Sequence, residues 1–190
     1  MHVPRFHRTF TTLFPILNNF QERISRCFLL FVFIGIDGGF APWVGGLIKD
    51  ITQPILLVAP EGQLEETITR LSRVGFDNVL GYLEGGFKAW RDLGKEIDSV
   101  KSITAVEFAR DYNNGSIHVL DVRKDGEYQT EHICKALNVP LGELNLHLDK
   151  FISDEPNYIH CAGGYRSMIA SSILKSRGIH NLIEVQGGFK

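Results

Sequence analysis

At 190 residues the chain can form one ample domain or two small ones. Its 44% hydrophobic and 22% charged content is that of a globular protein, and its formal net charge of -2 gives no electrostatic reason to expect nucleic acid or a membrane surface as a partner. Three cysteines, Cys27, Cys134 and Cys161, make neither a disulfide framework nor a zinc-ligand pattern, so a reducing, cytoplasmic setting without metal or cofactor is expected.

In chain order, Arg23 and Arg26 precede the apolar run Cys27-Phe28-Leu29-Leu30-Phe31-Val32-Phe33-Ile34. A basic flank before a short apolar stretch has the character of a signal-peptide core. The run is too short to span a bilayer, begins late and has no clean small-residue cleavage site after it. Residues 1–34 therefore read as an atypical N-terminal segment, a buried strand or an extension.

The chain then repeats itself. Residues 55–90 and 158–190 share one order: a short apolar strand, a loop, an amphipathic helix, a glycine (Gly75, Gly178), a second apolar strand and Gly-Gly-Phe. Two copies about a hundred residues apart point to duplicated domains rather than a solenoid. Strands are predicted at 55–59, 78–83, 117–122, 157–160 and 181–185, with helices at 65–74, 104–113 and 167–177. Thr104 is a candidate N-cap with Glu107 three positions on. Gly75 and Gly178 fall where a helix C-terminal glycine belongs. The polar stretch 94–102 reads as a linker. Strand–helix alternation predicts α/β architecture with parallel sheets, whose sites form at the C-terminal strand ends.

The chemistry concentrates in the second copy. Strand 157–160 ends at Cys161, and a glycine-bearing loop leads into a helix. A cysteine there lies over the positive end of the helix dipole, with loop N–H groups able to face its sulfur; both favour thiolate. Gly163 and Gly164 let the loop curl, and Arg166 offers a fork suited to an oxyanion.

The loop Cys161-Ala162-Gly163-Gly164-Tyr165-Arg166-Ser167 resembles the active-site loop of the rhodanese superfamily. Three further stretches are similar to that family's elements in the same order: Asp121-Val122-Arg123 through Glu127-Tyr128, His132-Ile133 through Asn138-Val139-Pro140, and Gly187-Gly188-Phe189. Phe40-Ala41-Pro42-Trp43-Val44-Gly45 resembles part of the tandem rhodanese portion fused to metallo-β-lactamase-fold persulfide dioxygenases; that enzyme's metal-ligand cluster is absent from the sequence. The resemblance implies two rhodanese-like domains, each a parallel central sheet flanked by helices and each short of a full domain. The first, residues 35–97, reads as degenerate and inactive, because Val58 and Gln63 stand where the nucleophile and arginine belong and Glu61 would repel an anion. The second, residues 103–190, carries the site.

The resemblance further implies sulfur transfer from a small donor such as thiosulfate or a persulfide to cyanide or a thiol, including a thiol of a persulfide-handling protein. Cys161 would be the nucleophile, residues 162–167 the donor-binding loop, and Arg166 the anion holder. Glu131 and Lys135 depart from the family by replacing glycines in a turn, and Ala162 stands where thiosulfate-preferring members carry a basic residue. Asp121, Arg123 and Glu127 read as structural support, with Arg123 pairing Glu127 four residues on; a place for Asp121 beside the loop is the alternative. Cys27 and Cys134 read as core, His160 as packing, His132 as turn-stabilising, and Phe189 as prone to fray. A non-catalytic interaction or persulfide-carrier module is the rival function. A phosphatase is disfavoured because four residues, rather than five, separate Cys161 from Arg166.

Overall fold

The computed structural model describes residues 31–95, 97–115, 117–151 and 154–189. The expectations placed on Cys27 and on residues 1–30 lie outside the described residues. The chain divides into two compact units, one built on Ile36–Asp98 and the other on Ser99–Lys190 together with the stretch ending at Gly35.

The first unit contains α1 (Phe40–Leu47), β1 (Ile55–Leu57), α2 (Leu64–Ser72), β2 (Val79–Tyr82) and α3 (Gly86–Asp92), with β1 and β2 paired in parallel. Ile36, Phe40, Val44, Leu71 and Phe76 form its small core. Arg70 on α2 donates to the Ile36 carbonyl at 2.5 Å and to Glu66 at 2.6 Å. The α2 helix stops at Gly75, which takes the left-handed conformation with φ 88°, while Phe76 N–H reaches back to the Leu71 carbonyl at 3.1 Å.

The second unit contains β3 (Lys101–Ile103), α4 (Ala105–Asn114), β4 (His118–Asp121), α5 (Asp125–Thr130), β5 (Leu137–Asn138), two 3₁₀ turns (Leu141–Leu146, Leu148–Lys150), β6 (Asn157–His160), α6 (Tyr165–Ser176) and β7 (Leu182–Val185). The stretch 94–102 is thus not linker throughout, since its last residues enter β3. Thr104 caps α4 as its sequence suggests: its hydroxyl accepts from Glu107 N–H at 3.2 Å, and Glu107 accepts from Thr104 N–H at 2.8 Å. The α6 helix repeats the stop seen in α2, with Gly178 at φ 85° and Ile179 N–H on the Leu174 carbonyl at 3.0 Å.

All pairings in the five-stranded sheet β3-β7-β6-β4-β5 are parallel. The chain builds outward from β4 to β5, then returns to the other side of β4 for β6 and β7. The order therefore switches direction between β4 and β6, where open parallel sheets place their ligand crevices. Register pairs Asp121 with His160, so Cys161 emerges at that switch point.

Apolar side chains cover both faces, as a parallel sheet requires. Val119, Tyr158, Ile183 and Val185 join Ile103, Phe108 and Ala136 in one cluster. Leu120, Ile159 and Leu182 are also buried, as are Ile169, Ala170, Ile173 and Leu174 of α6.

The turn where Lys135 replaces a glycine does not loosen. Lys135 itself adopts φ 63°, and the hydroxyls of Tyr112 and Tyr128 donate to the flanking carbonyls of Cys134 and Ala136 at 2.7 and 2.6 Å. A left-handed non-glycine residue costs about 1–2 kcal/mol, and glycine's greater unfolded freedom returns about half of it. Lys135→Gly is expected to stabilise the protein by up to about 1 kcal/mol, read as a rise of a few degrees in Tm.

Candidate active site

The site assembles at the C-terminal ends of β4, β6 and β7. Cys161 follows β6 directly and is 1% exposed, while Ala162, Gly163 and Gly164 around it are accessible to different degrees. Gly164 takes a left-handed conformation (φ 91°) immediately before α6, turning its N–H onto Cys161 Sγ at 3.1 Å. The thiol also lies 3.6 Å from the Ser167 hydroxyl on the first turn of α6. A backbone N–H and a helix N-terminus both stabilise negative charge on sulfur.

Arg166 extends from the same turn and is largely buried. It does not stand free for an anion: Nη1 and Nη2 donate to the two oxygens of Glu127 at 2.5 and 2.8 Å. This pairing holds the Glu127 carboxyl down at about 2. The Arg166 guanidinium is raised, first by that hydrogen bond and, after the opposing effect of burial, by the Glu127 charge and the Cys161 sulfur. Glu127, read from sequence as partner to Arg123, thus belongs to Arg166 across 39 residues of chain.

Arg123 pairs instead with Asp121. The carboxylate is 0% exposed and receives Arg123 Nε at 3.0 and 2.9 Å, Nη2 at 2.6 Å and the Arg123 N–H at 2.9 Å. Two-residue spacing succeeds because β4 ends at Asp121 and the chain turns sharply, so one carboxylate meets both backbone and side chain. Arg123 Nη2 continues to the Glu131 carbonyl at 2.8 Å, and Asn138 Nδ2 bonds the carbonyls of Asp121 and Arg123 at 2.9 and 3.0 Å. These bonds tie Asp121 to the strand ends and the turn beyond them.

Gly187-Gly188-Phe189 closes the loop from the other side. Gly188 has φ 66°, and a Cβ there would lie 2.7 Å from Ala162 C and 2.8 Å from Gly163 N, closer still to the Cys161 carbonyl oxygen. Only glycine allows that approach. The Phe189 N–H donates to the Cys161 carbonyl at 2.8 Å. Its ring lies 4.0 Å below the Arg123 guanidinium and stacks on His160, with ring centroids 6.1 Å apart. Phe189 is therefore an anchor, and the expectation that it frays does not hold.

His160 is fully buried, with Nδ1 3.4 Å from the Cys161 carbonyl and Nε2 3.8 Å from Asp121. Burial lowers its pKa against the opposing pull of Asp121. His132 accords with its sequence reading: it stacks on Tyr128 and contacts the Tyr128 carbonyl through Nδ1 at 2.8 Å. Cys134, read as core, is exposed, because its turn faces outward.

The sequence places Tyr165 in the loop but does not show what its hydroxyl bonds, and it does not mark Glu184 at all. Tyr165, within the loop, donates its hydroxyl to the Gly35 carbonyl at 2.6 Å, and the neighbouring Phe33 N–H binds Ser172 on α6 at 3.0 Å. Glu184 in β7 is buried directly behind the loop. Its Oε1 accepts from Ser167 at 3.1 Å and its Oε2 from Ser102 at 2.6 Å. Among the described residues, no group of three or more His, Cys, Asp or Glu could hold a metal ion, and no helix is long and apolar enough to cross a membrane.

A buried thiol cradled by a glycine loop at a parallel-sheet switch point defines a class, and comparison agrees. Residues 104–190 match the model of the rhodanese-like domain. The chain is 32% identical to uncharacterized protein YqhL of Bacillus subtilis over 91 residues, 48% of this chain and 71% of that protein. It is 33% identical over 75 residues to the putative sulfur carrier protein YrkF of the same organism, 40% of each chain. Against thiosulfate sulfurtransferase GlpE of Coxiella burnetii the identity is 27% over 90 residues, 47% of this chain and 84% of that protein. The chain belongs to the rhodanese-like domain family.

Two outcomes test this geometry. Gly188→Ala must displace backbone and is expected to cost at least about 2 kcal/mol in denaturant melts, whereas Gly163→Ala, facing open space, stays within about 0.5 kcal/mol. The unfolded chain binds a proton at His160 near 6.5 and the folded chain resists it, so stability falls as pH drops below about 6.5. His160→Gln is expected to flatten that decline in melts between about pH 7 and 5.

Proposed function

We propose that the chain is a rhodanese-type sulfurtransferase that carries sulfane sulfur on Cys161. The observation that supports this best is the Gly164 N–H on Cys161 Sγ at 3.1 Å, at the mouth of α6. The Cys161 thiolate attacks the outer sulfur of the donor. A new sulfur–sulfur bond forms on Cys161 as the donor's own breaks, and its electron pair leaves on sulfite or on an alkyl thiolate. A nucleophilic acceptor, cyanide or a thiol, then takes the terminal sulfur and restores the Cys161 thiolate. The leaving groups are stable anions, so the step calls for no general acid, and the neutral, buried His160 supplies none.

Loop N–H groups would hold the terminal persulfide sulfur, and Arg166 would meet anionic donors only by sharing its guanidinium with Glu127. Residues 162–167 form the donor-facing loop in this reading, with Asp121, Arg123 and Glu127 as its support. Likeness to a putative sulfur carrier favours a second reading, in which the persulfide is handed to a partner protein's thiol rather than turned over on small acceptors.

The unit on Ile36–Asp98 is read as a degenerate copy of the same design. Both units run strand, helix, left-handed glycine, parallel strand and Gly-Gly. A Cβ on Gly86 would press on the Ala59 carbonyl at 2.6 Å, as one on Gly188 would press on the loop after Cys161. Its aligned loop holds Val58 and Gln63 in place of nucleophile and arginine, so a docking or packing role suits it. The arrangement is like the tandem portion fused to persulfide dioxygenases.

Treatment with a sulfane-sulfur donor followed by peptide mass spectrometry is expected to place one added sulfur on Cys161. Cys161→Ser is expected to abolish transfer to cyanide, while Cys27→Ser and Cys134→Ser keep most of it. Sulfur found mainly on the exposed Cys134 would contradict the assignment. Loading without turnover on cyanide would select the carrier reading.

A further inference from the structure

Glu184 is out of place by composition. It occupies the middle of a parallel strand whose other residues are Leu182, Ile183 and Val185, and it is 4% exposed. Charged side chains are almost never so buried without a counter-charge. Yet the groups that bond it are two hydroxyls, Ser102 at 2.6 Å and Ser167 at 3.1 Å, and among the described residues no cation pairs with it. Ser167 in turn is the hydroxyl 3.6 Å from Cys161 Sγ, and a Cβ on Gly164 would touch Glu184 Oε1 at 3.5 Å. The carboxylate therefore sits behind the loop, one hydroxyl away from the reacting sulfur.

The two guanidiniums at the site do not offset it. Arg123 pairs with Asp121 and Arg166 with Glu127, each through paired hydrogen bonds, so neither guanidinium is left to pair with Glu184. The remaining loop positions, Ala162, Gly163, Gly164 and Tyr165, carry no charge. With Glu184 ionised, three carboxylates face two guanidiniums before the thiolate adds its own charge. A dianionic donor brings two more negative charges into this setting; an alkyl hydropersulfide brings none, or one when ionised. In a partly buried site, one unit charge several ångströms away changes affinity by about tenfold or more.

We propose that Glu184 is a specificity-determining residue that disfavours dianionic donors such as thiosulfate and leaves low-charge alkyl persulfides as the donors of Cys161. The proposal rests on the reading of Cys161 as a persulfide-forming nucleophile. Glu184 acts through charge rather than by touching the donor. Its removal should therefore alter the preference between donors of different charge, an effect that a purely structural role would not produce.

The test uses the full chain and measures single-turnover sulfur loading of Cys161 by rapid quenching and mass spectrometry. The donors are thiosulfate and 2-hydroxyethyl hydropersulfide, at fixed ionic strength. Glu184→Gln keeps the shape and is expected to raise the thiosulfate-to-hydropersulfide rate ratio by about tenfold. Wild-type protein gives a second readout that needs no variant: added salt should speed thiosulfate loading by screening repulsion and change the hydropersulfide rate little. An unchanged ratio in a folded Glu184→Gln protein, or thiosulfate loading that slows with salt, overturns the role of Glu184 while leaving the nucleophile in place. Absence of sulfur on Cys161 with both donors overturns the nucleophile and this proposal together.

Discussion

The buried pairing of Asp121 with Arg123 is the contact on which the rest of the site depends. Two opposite charges removed from water are costly unless their geometry is near ideal and their other bonding positions are filled. Both conditions are met. The carboxylate is saturated by one guanidinium and one backbone N–H, and the guanidinium reaches on to the Glu131 carbonyl and lies over the ring of Phe189. Strand end, turn and closing segment therefore converge on one ion pair. Breaking either half would strand a buried charge, at about 3–5 kcal/mol, and would loosen the seat of Phe189, whose N–H holds the carbonyl of Cys161.

That convergence explains why the family resemblance was easy to read while the pairings were not. Residues that build the frame sit in short contiguous stretches: the loop after Cys161, the cap at Thr104 and Glu107, and the helix stops at Gly75 and Gly178. Each follows from local backbone geometry, which a sequence displays directly. Partner choice is a matter of tertiary placement. A spacing of four points Glu127 at Arg123, but the strand end at Asp121 takes the arginine and leaves Glu127 to Arg166, 39 residues away.

Other residues were hidden for different reasons. Glu184 lies inside an apolar strand and outside the Gly187-Gly188-Phe189 motif that follows, and only the sheet register brings Ser102 beside it and α6 above it. Free cysteines are usually buried, which places Cys134 in the core by sequence, but its turn faces solvent. Phe189 looked unsupported in sequence because its supports, Arg123, His160 and the Cys161 carbonyl, come from distant segments.

The bond from Phe189 N–H to the Cys161 carbonyl also bears on how the protein is made. A ribosome delivers Cys161 well before β7 and Gly188, and the edge strand β3, made earlier still, has β7 as its sheet neighbour. The sulfur cradle therefore cannot be complete on a nascent chain until Phe189 has emerged. Until then the thiol lacks both its closing segment and the strand beside β6, so its surroundings are set by contacts distant in sequence.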